Sequence, residues 1–138
     1  MRTKIFLTGL FLSLLLPVGC SSVSTLINPP EKQQTAALDD FIYALRWQQY
    51  KSAAGFMDRE HRKAFLGQFS DQKDLTVTDV RLVETLLSPD GQQAEAVIDI
   101  DYYLLPSVSL KTFRLEQTWA YSETEGRFRI ITPFPPFP

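Results

Sequence analysis

Ala94-Glu95-Ala96-Val97-Ile98-Asp99-Ile100-Asp101-Tyr102-Tyr103-Leu104-Leu105 is the stretch whose period decides the fold class. Ala94, Ala96, Ile98, Ile100, Tyr102 and Leu104 fall on one side of an extended chain, and Glu95, Val97, Asp99, Asp101 and Tyr103 on the other. Successive side chains of a strand point to opposite faces, so this is a strand with one buried side and one largely acidic side. One-sided burial belongs to antiparallel sheets, because parallel sheets are covered on both faces.

The neighbouring segments repeat the pattern. Residues 76–84 are β-branched and alternating, and Ser88-Pro89-Asp90-Gly91 supplies the turn that leads into the central stretch. After Pro106-Ser107, residues 111–122 set Phe113, Leu115, Gln117, Trp119 and Tyr121 against Arg114, Glu116, Thr118 and Ala120. Glu125-Gly126 turns the chain again into residues 127–132, with Phe128 and Ile130 facing one way and Arg127 and Arg129 the other. Four strands joined by short connections predict an antiparallel meander.

Before residue 75 the period is helical. Residues 35–49 place Leu38, Phe41, Ile42 and Leu45 on one face, with Thr35 as cap and Asp39 and Asp40 near the positive end of the helix dipole. Residues 50–57 continue with Ala53, Phe56 and Met57 apolar and break at Gly55. Residues 58–69 open on Asp58 as cap and bury Phe65, Leu66 and Phe69. Helices first and a one-side-buried sheet second predict an α+β fold, with the helices packed on the apolar face of a curved four-stranded meander.

This layout resembles the nuclear transport factor 2-like (NTF2-like) superfamily from Leu38 through Ile131. The resemblance rests on the aromatic first helix, the segment from Trp47 to Met57, and the closing Glu125-Gly126-Arg127-Phe128-Arg129-Ile130-Ile131. It implies a sheet curved into a cone around the helices, whose open end can hold a ligand; many members are non-catalytic. A two-layer cystatin-like arrangement is the alternative, differing in how many helices the sheet embraces.

Trp47, Tyr50, Tyr102, Gln117 and Trp119 are the candidate pocket lining, an apolar wall with Gln117 as polar handle; Tyr121 joins them by alternation. Core packing of the same aromatics, 12% of the chain, is the competing account. Enzymes of the resembled fold place Asp, Tyr or His inside the cone. His61, the single histidine, stands beside Asp58 and Glu60, where a capping or surface place fits it better than a catalytic one. Glu95, Asp99 and Asp101 form an acidic strip on the outer face, for which cross-strand pairing with Arg114 is the simple account. With one His and one Cys, neither a metal site nor a cofactor is expected, and no catalytic residue is assigned. Pro133-Phe134-Pro135-Pro136-Phe137-Pro138 ends the last strand, because proline cannot donate to a ladder. Phe134 and Phe137 are expected to plug the domain, rather than to stand out as an exposed peptide.

The chain's front is an address. Arg2 and Lys4 precede an apolar run, and Leu14-Leu15-Leu16-Pro17-Val18-Gly19-Cys20-Ser21 resembles the lipobox of bacterial lipoproteins, with Pro17 where Leu is usual. Residues 5–19 would span about 22 Å as a helix, short of a hydrocarbon core of about 30 Å. The resemblance implies a signal peptide over residues 1–19, acylation of Cys20 and anchoring in a lipid bilayer. A flexible tether is expected over residues 20–34, then the domain over 35–132 and the Pro/Phe tail over 133–138. Ser21, where Asp would favour the inner membrane, implies the periplasmic face of a Gram-negative outer membrane.

The 138 residues, 44% hydrophobic and 22% charged, have enough apolar content for one core. The net charge of −2, about −4 once Arg2 and Lys4 are removed, gives no basic footprint for nucleic acid. The expected function is therefore a membrane-anchored envelope lipoprotein with a non-catalytic binding or interaction domain, its partner an envelope protein or a small apolar ligand. An enzyme using the cone, and a structural or assembly component of the envelope, are the alternatives.

Overall fold

In the computed structural model, which describes residues 29–138, the central stretch is the second of four strands: β1 (Leu75–Leu87), β2 (Gln93–Leu104), β3 (Lys111–Ser122) and β4 (Arg127–Ile130). They form one antiparallel sheet in chain order. Ala94, Ala96, Ile98, Ile100 and Tyr102 are at most 1% exposed, so the expected apolar row is the core row. The opposite row meets charged and polar partners across the ladder. Arg114 forks onto Asp99 at 2.8 and 3.0 Å, Arg81 pairs with Asp101, Thr112 donates to Asp101 at 2.7 Å, and Thr118 donates to Glu95 at 3.1 Å. The acidic strip is thus cross-strand pairing, as its spacing predicts. Register shifts in β1, between Val77 and Asp79 and between Leu82 and Glu84, are local devices that bend a strand and raise its twist.

Three helices cover the inner face: α1 (Pro30–Arg46), α2 (Tyr50–Ala54) and α3 (Arg59–Asp71). α1 starts five residues earlier than its expected 35–49, so residues 30–34 belong to the domain and not to a tether. Pro29-Pro30 reads as a helix breaker, but proline is costly inside a helix and well suited to its first position. Pro29 is extended and Pro30 is that first residue. Two contacts fix this extra turn. Gln34, only 2% exposed, donates through Nε2 to Thr85 Oγ1 at 2.9 Å. Pro30 lies so close to the β1–β2 turn that a Cβ on Gly91 would come within 3.1 Å of its ring, and Gly91 also holds a φ of +72° that favours glycine. At the other end of α1, Arg46 donates to Val80 O and pairs with Asp79 at 3.0 Å, tying the helix to the first register shift of β1. Among the described residues no helix is long and apolar enough to cross a membrane. The signal peptide, Cys20 and residues 20–28 of the expected tether lie outside the described residues.

β4 would be a bare edge, but the chain between α2 and α3 covers it. Met57 bridges Ile130 in parallel, Ile130 N–H donates to Phe56 O at 2.8 Å, and Asp58 N–H donates to Ile130 O at 3.0 Å. Asp58 also caps α3, accepting from His61 N–H at 3.0 Å. Covering β4 changes one reading. Arg127 is exposed as expected, whereas Arg129 on the same face is 5% exposed. Alternation places a side chain on a face; it does not say what else folds over that face.

Candidate functional site

The inside of the cone is built by the inward rows of β2 and β3 and the apolar faces of α1 and α3. Trp119 lies at its centre, edge-on to Phe41 at 5.7 Å and tilted against Phe56 at 6.3 Å, with Phe41 in turn 6.4 Å from Phe65. Tyr102, Gln117 and Trp119, three of the five candidate lining residues, point into this interior and are 0, 2 and 0% exposed. They are packed core. Two polar atoms there have no partner among the described residues: Gln117 Oε1 and Trp119 Nε1.

The tail closes the mouth. Phe134 packs at 5.1 Å from Phe65 and 5.7 Å from Phe69, and Phe137 at 5.0 Å from Tyr102 and 5.3 Å from Phe113. Both are buried. Two hydrogen bonds hold the backbone: Gln68 Nε2 donates to Phe134 O at 3.1 Å, and Tyr102 Oη donates to Pro138 O at 2.8 Å. Burial raises the Tyr102 phenol above its ordinary pKa, which keeps it a neutral donor. The tail is a docked plug, as its interleaved phenylalanines suggest. Prolines keep it extended without asking for ladder hydrogen bonds.

The other two candidates stand elsewhere. Tyr50 is half-buried, stacked on Phe69 at 4.0 Å, and forms one wall of an open groove of about 510 Å³ floored by Leu66 and Phe69. Burial raises its pKa as well. Trp47, just past the end of α1, is 62% exposed, 6.1 Å from Tyr43. The structure therefore does not bring the five together. Tyr121 is half-buried against Phe128 at 5.5 Å. His61 sits at the start of α3 with Nδ1 2.7 Å from Asp58 Oδ1, a capping arrangement away from the cone. Among the described residues no three His, Cys, Asp or Glu side chains are grouped to hold a metal.

No protein-family model matches this sequence, and no curated protein matches it. Solved structures are similar at low identity. A candidate polyketide cyclase of Xanthomonas campestris pv. campestris superposes with a TM-score of 0.50 at 12% identity, over 77% of this chain and 93% of that one. A second candidate polyketide cyclase, from Pseudomonas putida, gives 0.43 at 12% identity over 72% and 89%. A SEC-C motif containing protein from Rhodopseudomonas palustris gives 0.49 at 10% identity over 75% and 73%. At such identity the likeness to the Xanthomonas protein is one of fold alone: α+β, helices on a four-stranded antiparallel sheet.

Sequence reasoning missed the arginines around β4. Arg59, Arg62, Arg127 and Arg129 line a common hollow with Gly55 and Glu125. Only the odd spacing of Arg127 and Arg129 on the closing strand hinted at it, and an alternating arginine pair on an edge strand ordinarily faces water.

Proposed function

We propose that this chain is a membrane-anchored envelope lipoprotein whose domain works by binding rather than by catalysis. The observation that carries the domain half is the plug: Phe134 and Phe137 occupy the mouth where a member of this fold would admit a substrate. Phe41, Phe65, Tyr102 and Trp119 are buried inside the cone, and the Tyr102 phenol near the mouth is engaged with the tail. Accessible apolar surface includes the groove beside Tyr50 and Phe69 and the exposed Tyr43 and Trp47. The anchoring half rests on the sequence around Cys20. Two or more acyl chains there would hold the domain to a bilayer, since one chain gives only marginal binding.

Each half has its own test. Growth with labelled palmitate should label the wild type and spare Cys20→Ala; equal labelling of both, or of neither, would sink the anchoring. For the domain, Trp47→Phe leaves Trp119 as the single tryptophan, and acrylamide should barely quench it. Strong quenching would mean an open chamber and would return the enzyme reading, which one observation favours: Gln117 Oε1 and Trp119 Nε1, unpartnered inside the cone, are suited to a small polar guest.

A further inference from the structure

The hollow between the start of α3 and β4 collects more positive charge than its one lining carboxylate balances. Arg59 and Arg62 reach it from the first turns of α3, and Arg127 and Arg129 from β4; it measures about 390 Å³ and is lined by one carboxylate, Glu125. Arg129 is the deepest. Its side chain is 6% exposed, its Nη2 donates to Glu125 Oε2, and its Nε and Nη1 are buried without a partner among the described residues. Arg62 gives its Nε and Nη2 to neutral acceptors, Ala54 O at 3.1 Å and Met57 O at 3.2 Å, so its charge is oriented but not neutralised. Arg127 lies 3.6 Å from the same Glu125 oxygen. Arg59 pairs with no carboxylate among the described residues. The nearby Asp58 meets both the N–H and the Nδ1 of His61 through its Oδ1 and makes no ion pair with an arginine among the described residues. Burial, and then the charges of Arg62 and Arg59, disfavour protonation of Arg129, so the arginines repel one another.

We propose that this hollow is a binding site for a phosphate group, held by Arg59, Arg62, Arg127 and Arg129, with the Glu125 carboxylate standing in for it in the free protein. Four guanidiniums against one carboxylate leave an excess positive charge that a dianionic tetrahedral group would balance. Its several oxygens offer acceptors for the donors that a single carboxylate leaves unfilled, and forked donors on a planar guanidinium match them. The positive end of the α3 dipole adds to the same field. Glu125 sits in the β3–β4 turn, exposed enough to swing aside, and Gly126 after it holds a φ of +65° with open space around it. The phosphate arrives either free or as a lipid headgroup. The site lies outside the cone and does not depend on the cone being closed.

The full chain in neutral detergent at low ionic strength would be titrated calorimetrically with inorganic phosphate, pyrophosphate and water-soluble dihexanoyl phosphatidic acid. Binding of at least one is expected. Arg59→Gln/Arg127→Gln, which alters exposed side chains and leaves Arg129 in place, should weaken it at least about tenfold, and Glu125→Gln should tighten it about threefold or more. Tighter binding of phosphatidic acid than of phosphate assigns the site to lipid headgroups, and the reverse order to a soluble phosphate. No heat with any of the three probes, or affinity unchanged in the double variant, would overturn the site; affinity unchanged or weakened in Glu125→Gln would overturn the stand-in role. Circular dichroism of each variant separates lost binding from lost fold.

Discussion

Asp99 and Asp101 take alternate outward places on β2, and each carboxyl is held below its ordinary range. For Asp99 the Arg114 hydrogen bonds are the main cause; for Asp101 it is Arg81, then the Thr112 hydroxyl. A carboxyl depressed in the folded state contributes stability in full above its unfolded pKa of about 3.9 and loses it as pH falls through the folded value. Thermal melts should therefore lose stability below about pH 4, and Asp101→Asn should flatten that loss and lower the neutral-pH melting temperature by the matching amount, which is small because ion pairs on an exposed sheet face contribute little. A slope the same as that of the wild type would remove Asp101 from the account. At Trp119 the balance is of another kind. Trp119→Ala leaves a cavity against Phe41 and Phe56 and should cost about 3–5 kcal/mol, whereas Trp119→Phe keeps an aromatic ring and removes an unpartnered buried N–H, so denaturant melts should rank it far milder. Equal losses would mean that the indole N–H has a partner, such as a buried water.

The elements were legible in proportion to their periodicity. β3 runs over Lys111–Ser122, matching its expected 111–122, because five inward residues in strict alternation admit no other register. β1 runs past its expected 76–84 to Leu75–Leu87, since register shifts break the alternation that would mark its end. The start of α1 was hidden by Pro29-Pro30, whose meaning depends on which proline is first in the helix, and the contacts that settle it come from Thr85 and Gly91, far along the chain. The plug was readable as composition, and its partners were not. It is also the element most open to test. Burying a phenylalanine contributes about 1.5–3 kcal/mol, against which stands the entropy of ordering a segment in which four of six residues are proline. The prolines reduce that cost. Deleting residues 133–138 should therefore lower the melting temperature by several degrees, roughly the effect of 1 kcal/mol in a domain of this size, and should let acrylamide reach Trp119 in the Trp47→Phe background. An unchanged melt would mean that the tail contributes nothing to stability despite its contacts.

At the scale of the molecule, the sequence carried the α+β class and the inward rows, and left the site dispersed. Tyr102, Gln117 and Trp119 meet because strand alternation brings them together. Trp47 and Tyr50 part from them, because residues 47–49 break the helix between α1 and α2: Gln48 holds a φ of +56°, and no periodicity continues through it. The arginine hollow belongs wholly to tertiary structure, arising where the 55–62 segment folds over an edge strand. One core nevertheless spans everything described: Leu38 and Phe41 of α1, Ala53 of α2, Phe65 of α3, inward residues of all four strands, and Phe134 and Phe137 belong to a single buried cluster. Because these layers share one core, none of them can melt alone without exposing the others, and a domain of this size should unfold in one cooperative step. Trp47→Phe makes the test clean, because Trp47 is exposed and its loss should change stability by no more than about 0.5 kcal/mol, leaving Trp119 to report the core alone. Trp119 emission and far-ultraviolet circular dichroism should then trace one transition in denaturant, with the same midpoint. If the emission changed first, the plug and the cone would open before the secondary structure is lost, and the domain would be a chamber with a removable stopper rather than one closed core.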